Sequence, residues 1–396
     1  MLRFLTAGES HGPSLTGILE GMPAGLPLSS EVLDSELLRR QRGFGSGARM
    51  KIERDHAQIS AGVLAGKTTG APIALHIENL DHDRWRDRDL LPMTIPRPGH
   101  ADLTAAVKYG YRELRLSLER ASARETAMRV AVGAVCRALL RALGVELGGY
   151  VMRLGSIQVP PSLATPAPSD EEYRTRFTAA EASNVRCYDP ETATQMHALI
   201  ADIIRSRNTI GGIVECVALG VPPGLGSHTH WDRRLSARIG QAVMSIHAVK
   251  GVEVGDGFAG CARPGTLAQD EYVLVGETIT QPTNHCGGIE GGISTGAPIV
   301  VRAAFKPIAT TLTPLRSIDL ATAAATPTQY ERSDFCQVPR SVPIVEAMVG
   351  LILADALLEK LGGDSLAELQ ERVIRLRRLR LSDLPMDGTP WRFGYE

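Results

Sequence analysis

The chain has 396 residues, enough to bury a large core in one big domain or two ordinary ones. Its 43 basic and 44 acidic residues leave a net charge of −1, so no global charge advertises a nucleic acid or an anionic membrane as partner, and any anion binding must come from local clusters. The N-terminal stretch lacks a charged-then-apolar leader, and the six cysteines are scattered without a C-x-x-C pair. These features lead us to expect a soluble, cytoplasmic protein with reduced thiols.

In chain order, Ser30 and the following "EVLDSELLRRQ" predict an N-capped helix ending near Gly43, acidic early and basic late as the helix dipole prefers. Gly62 to Asn79 predicts a hairpin. "SARETAMRVAVGAVCRALLRALG" predicts the clearest helix. Ser122 and Glu125 match a capping box, Met128, Val132, Val135, Leu139 and Leu143 share one face, and Gly144 ends it. Further helices are expected over Pro190 to Arg205 with Asp189 as cap, over Asp232 to Ser245, and over Ile344 to Leu361 after Pro343. Gly211 to Val221 and Gly296 to Phe305 read as strands. "TTGAPIALHI" is echoed by "STGAPIVVRA", which indicates either two related halves or merely that Gly-Ala-Pro introduces strands well. Pro160 to Glu172 is polar, proline-rich and expected to be an exposed connector, though not a domain boundary.

The candidate chemistry begins at two histidines in turns. His11 lies in "TAGESHGPS" and His100 in "PRPGHAD", both among glycines, prolines and polar neighbours, and histidine is the side chain suited to moving a proton near neutrality. His56, His76, His82 and His197 sit in surface-like or strand-like settings and receive no role. "RRQRGFGSGARMKIER" gathers Arg39, Arg40, Arg42, Arg49, Lys51 and Arg54 around Gly43, Gly45 and Gly47, a loop suited to a phosphate or carboxylate. Arg112, Arg115, Arg120 and Arg124 precede or open the long helix, whose free N–H groups suit an anion, although a capping box alone accounts for Ser122 and Glu125. "NHCGGIEGGISTGAP" lacks the glycine order of a dinucleotide fold, and no P-loop, metal-ligand spacing, nucleophile elbow or Cys–His signature occurs. "FKPIATTLTP" offers Lys306 and hydroxyls for a phosphate or a flavin edge. Asp334 stands between Arg332 and Arg340, a setting more typical of a salt bridge.

"GESHG", "RPGHAD", "ERASARETAMRVAVGA", "GGIEGGISTG" and "RSDFCQVPR", in this order and spacing, resemble the chorismate synthase family. The resemblance implies an α+β fold, a β-α-β sandwich core with peripheral flexible loops, forming a single domain over 1–396 with the tail 364–396 unplaced. It implies a lyase that eliminates phosphate and the C6 hydrogen, in the anti-1,4 sense, from 5-enolpyruvylshikimate 3-phosphate to give chorismate, the last common step of the shikimate pathway. It also implies a requirement for reduced FMN without net redox change.

Carried over by position, the resemblance makes His11, His100, Asp334, Ser10 and Ser122 catalytic. It places Arg120, Ala121, Ser122, His247, Ala248, Gly291, Lys306, Pro307, Ile308, Ala309, Thr310 and Arg332 against FMN, and Arg40, Arg49 and Arg97 against substrate, with no metal. It also implies a homotetramer with FMN near subunit interfaces. The lack of an appended reductase segment favours an external flavin reductase, with NADPH as the indirect reductant. Ser46 and Ala48 replace arginines common in the family, so this loop is less basic. Competing readings are a flavin oxidoreductase acting on a related anionic substrate and an anion-binding protein for RNA. Near-neutral charge and 5 % aromatic content oppose the latter.

Overall fold

Residues 1–47, 52–161 and 167–394 are described in the computed structural model. Two antiparallel sheets enclose a layer of helices. The first contains β1 (Arg3–Ala7), β2 (Ser14–Glu20), β3 (Ala57–Ala61) and β4 (Ile73–Glu78), in the order β1-β2-β4-β3. The second contains β5 (Glu146–Leu154), β6 (Ile157–Gln158), β7 (Gly212–Leu219), β8 (Val249–Val254) and β9 (Ile299–Phe305), in the order β8-β9-β7-β5-β6. Between them lie α1 (Ser30–Gln41), α4 (Thr126–Ala142), α7 (Leu235–Met244) and α8 (Val338–Leu361). Helix α4 packs on the first sheet, α8 packs on the second, and the two cross each other at the centre of one continuous aliphatic core. Four further helices, α2 (Asp102–Tyr109), α3 (Arg115–Arg120), α5 (Asp170–Ala182) and α6 (Pro190–Arg205), lie outside that layer, and α9 (Leu366–Ile374) follows α8.

The alternation of buried and exposed residues explains the first sheet: in β2, Leu15, Gly17 and Leu19 face the helices while Thr16, Ile18 and Glu20 face solvent. The second sheet is covered on both faces, because Tyr173 and Phe177 of α5 pack on Val217, Leu219 and Val300. Its strands therefore read as continuous apolar runs. Helix α8 is long and apolar enough to cross a bilayer by composition, yet nearly all of it is buried inside the protein as a core helix.

The two halves share one topology. The first runs β1, β2, α1, β3, β4, α4; the second runs β5, β7, α7, β8, β9, α8, with the strands adjacent in the same sequence, β1-β2-β4-β3 against β5-β7-β9-β8. The echoed Gly70-Ala71-Pro72 and Gly296-Ala297-Pro298 lead into β4 and β9, the equivalent inner strands. The repeated decapeptide therefore sits at equivalent places in two similarly built halves.

Several expected boundaries shift. Helix α1 begins at Ser30 with Ser29 as its cap residue and no side-chain capping bond. The Ser122–Glu125 capping box does not form: Ser122 accepts from the Arg124 N–H at the head of a 3-10 turn, while the Glu125 carboxylate is taken by Thr6 and Arg129. The predicted hairpin at 62–79 reduces to a small turn-back of Val63–Leu64 on Lys67–Thr68, and the rest becomes β4 between β2 and β3. Helix α7 starts three residues late, after a 3-10 turn at Trp231–Arg233. Helix α8 begins at Val338, so Pro343 lies within it.

Candidate active site

The first-sheet edge, the start of α4 and the start of α8 border a cavity of about 790 Å³, within the size range of small-molecule sites. Ser10, His11, Arg40, Arg97, His100, Ala121, Ser122, His247, Ala248, Lys306, Ile308, Ala309, Thr310, Arg332 and Asp334 all line it, although they span the chain from residue 10 to 334. Arg120, Pro307 and Gly291 are not among its lining residues. The Arg120 guanidinium is spent on the carbonyls of Thr6 and Gly8, and Gly291 occupies an exposed turn between Ile289–Glu290 and Ile293–Ser294. Arg49 lies outside the described residues, as do Ala48 and Lys51.

His11 is held from several sides. Its turn is possible because Gly8 adopts φ +112°, where a Cβ would meet the Ser14 carbonyl at 2.3 Å. The His11 backbone N–H donates to Glu119 Oε2 at 2.7 Å, and its ring Nδ1 stands 2.7 Å from Glu119 Oε1. The neighbouring Ser10 N–H donates to the Glu119 carbonyl at 3.1 Å. The Trp85 ring lies 4.4 Å from the imidazole, tilted by 45°, and His82 donates to the His11 carbonyl. Burial would raise the Glu119 carboxyl, but the ring and backbone N–H of His11 outweigh it and hold it below its ordinary value.

His100 has a related but different partner. Its Nδ1 stands 2.5 Å from Asp102 Oδ1, and the same fully buried carboxylate accepts from Arg97 Nε at 2.7 Å and Nη2 at 2.9 Å. Burial opposes ionisation of Asp102, yet Arg97 and His100 drive its carboxyl well below the usual range. Arg97 is thus clamped by Asp102, with Nη1 toward Thr310 at 3.4 Å.

Cations surround the deep end. Arg40 is 2 % exposed and donates to Thr126 Oγ1 at 2.9 Å and to the Ala123 carbonyl at 3.1 Å; Asp55 lies 3.4 Å away. Burial, then the nearby Arg340 and Arg124 charges, pushes Arg40 down to about 9 despite Asp55 and Asp334. Arg124 is bound to Asn79 and Asp55, and Arg340 to Asp334. Asp334 also accepts from the Gly47 N–H at 2.7 Å, so the expected salt bridge exists and the carboxylate still faces the cavity. Arg332 pairs with Asp81, and Lys306 with the Gly99 carbonyl. Burial lowers His247 to about 4, against the pull of Glu125, and its buried Nδ1 has no hydrogen-bond partner among the described residues.

Not every arginine of the glycine loop serves this site. Arg39 is consumed by Glu36, Glu181 and Glu346, while its neighbour Arg40 turns toward the cavity. Sequence reasoning missed Glu119, Trp85 and Arg340 as site residues and treated Asp102 only as a flank. The Glu119–His11 pair spans 108 residues, and no local spacing announces it. Asp102, two residues from His100, was within reach of a local reading.

A family model described as chorismate synthase matches residues 2–358. The chain is 49 % identical over 387 residues to chorismate synthase of Trichlorobacter lovleyi, covering 93 % of this chain and 97 % of that protein. It is 50 % identical over 384 residues to that of Thermobifida fusca, with 93 % and 96 % covered. A crystal structure titled as chorismate synthase superposes with TM-score 0.78 at 42 % identity, covering 94 % of this chain and 96 % of the other.

Proposed function

The chain belongs to the chorismate synthase family and is a lyase, and we propose that it eliminates phosphate and the C6 hydrogen from 5-enolpyruvylshikimate 3-phosphate to give chorismate. One observation carries the reading: three guanidiniums, Arg40, Arg124 and Arg340, are buried around one cavity that also holds two carboxylate-backed histidines. A cation pressed down by burial and by like charges gains most from a bound anion, and a substrate with a phosphate and two carboxylates meets that need.

The residues present fit FMN. Ala121, Ala248, Ile308 and Ala309 give apolar surface for a ring, Lys306 gives a cation, and the buried His247 Nδ1 is a polar atom for a ligand to satisfy. Ser122 and Thr310 complete the holding set, with Arg332 at its edge. The chemistry contributed by reduced FMN when bound is transient electron donation to the substrate, returned as product forms. The protein's part is to orient both molecules, neutralise the departing charge and exclude water. His11 protonates the leaving phosphate, His100 with Asp102 fixes a hydrogen bond toward the flavin, and Asp334 with Ser10 carries the proton removed from C6. We further expect cytoplasmic location, a homotetramer, and reduction by an external reductase drawing on NADPH.

The test is anaerobic mixing of the protein with chemically reduced FMN and 5-enolpyruvylshikimate 3-phosphate, following chorismate absorbance and phosphate release. Many chorismates per flavin, with one phosphate each, support the lyase. Flavin oxidised in step with product would make the protein an oxidoreductase, and no product from folded, FMN-binding protein would remove the proposal.

A further inference from the structure

The two cavity histidines differ in how their carboxylates are already occupied. Asp102 gives both oxygens to the Arg97 guanidinium and shares Oδ1 with His100, so a fixed cation has already taken up its charge. Glu119 makes a different pattern: Oε2 accepts the His11 backbone N–H and Oε1 faces His11 Nδ1, both at 2.7 Å. An ionised carboxylate only accepts, so a ring nitrogen at that distance must carry hydrogen. The other ring nitrogen is then the one left for the cavity that His11 lines.

We propose that Glu119 is the positioning residue of the phosphate-leaving step, setting the tautomer of His11 so that Nδ1–H is permanent and Nε2 alone exchanges its proton with the substrate. The proposal rests on the lyase reading. As the bond between the ring carbon and the phosphate oxygen breaks, its electron pair leaves on phosphate. Nε2–H of the imidazolium gives its proton to that phosphate, and a neutral ring remains with Nδ1–H on Glu119. The carboxylate offsets the ring's positive charge beforehand and keeps the ring from turning, while Trp85 against one face and His82 on the His11 carbonyl limit its other motions.

Geometry makes Glu119→Gln a sharp test. The His11 backbone N–H can only donate, so the glutamine carbonyl must take it, and the amide NH2 must then face Nδ1. A donor facing Nδ1 forces that nitrogen to accept, moving the single proton of the neutral ring to Nε2 and opposing the doubly protonated ring that the acid step requires. Size and both heavy-atom contacts are kept. A purely structural role for Glu119 predicts nearly full activity in this variant.

The expected result is a kcat lower by about 10²-fold or more, with KM changed less than about threefold. FMN binding, followed by flavin absorbance, should be unchanged and so report an intact fold. The independent readout is ring 15N NMR of histidine-labelled protein, assigned by loss of the His11 signals in His11→Asn. The neutral wild-type ring should show a protonated Nδ1 and a bare Nε2, and Glu119→Gln should reverse them. A full-speed Glu119→Gln, or a wild-type ring protonated at Nε2, overturns the proposal, and the second finding decides it even if the variant does not fold. If the wild-type protein makes no chorismate, the lyase reading fails while the ring spectrum still tests Glu119.

Discussion

Arg186 donates from Nη1 to the carbonyl of Pro339 at 2.8 Å, the acceptor that Pro343 leaves unpaired because proline has no N–H. The same guanidinium donates to the carbonyls of Arg39 at 2.5 Å and Arg42 at 3.0 Å, at the end of α1. One side chain therefore joins the two helix ends that bring Arg40 and Arg340 to the cavity. Replacing it with leucine keeps volume and abandons three carbonyls, at about 1–3 kcal/mol for each that stays dry. Arg186→Leu should lower the urea unfolding midpoint by an amount equivalent to about 3 kcal/mol or more, and Arg186→Lys should restore only part. An unshifted midpoint would show that water replaces all three bonds.

Glu346 ties three helices together. Its carboxylate accepts from Arg39 at 2.6 Å and from Arg137 at 2.5 Å, linking α8 to α1 and α4, and it is 2 % exposed. Burial raises its carboxyl, but the two arginines win and lower it to about 2. A carboxyl depressed on folding adds stability that is present above its unfolded pKa, near 4.3, and is lost as pH falls toward 2. Equilibrium unfolding between pH 5 and 2 should therefore reveal a loss on the order of 3 kcal/mol from this group. In Glu346→Gln that part of the slope should vanish, while the protein is weaker at pH 7 because Arg39 and Arg137 lose the most buried of the carboxylates they share. An identical acid slope in the variant would assign the loss to other carboxyls.

His100 and Asp102 should separate activity from folding. Removing the imidazole leaves the Arg97–Asp102 pair intact, so His100→Ala should reduce turnover by about 10²- to 10⁴-fold with Tm nearly unchanged. Asp102→Asn removes the charge that compensates a buried guanidinium and should cost about 3–5 kcal/mol of stability as well as activity. Calorimetry beside turnover measures both. Equal stability losses in the two variants would mean that His100 also supports the fold.

What the sequence discloses is mainly local. The Asp189 side chain does cap α6, accepting the Thr192 N–H at 2.8 Å, and Gly144 does end the α4 turn, because caps and left-handed glycines act within a few residues. The start of α8 is hidden because Pro343 reads as a boundary until Arg186, 153 residues from Pro339, is brought to that carbonyl. Ser122 and Glu125 match a capping box by spacing, but Thr6 from β1 and Arg129 compete for the glutamate. In the candidate site the motifs supply cavity-lining side chains, while some of their partners come from far along the chain: Glu119 for His11, and Asp55 for Arg124.

The crossing of α4 and α8 allows no added atom at Gly133. A Cβ there would lie 2.3 Å from the Ala347 Cβ and 2.6 Å from its Cα, and the second contact is with backbone that no side-chain rotation can relieve. Alanine in place of glycine favours an isolated helix by roughly 1 kcal/mol, so local propensity predicts that Gly133→Ala stabilises the protein. The crossing predicts the opposite. Overpacking between two core helices costs about 1–3 kcal/mol, and separating them would also move the start of α8, which carries Arg340 and Ser341 to the cavity. Gly133→Ala should therefore lower the unfolding midpoint and weaken FMN binding, although it lies within the core and not among the cavity-lining residues. A stabilised variant with unchanged FMN affinity would show that the helices part at that point without strain.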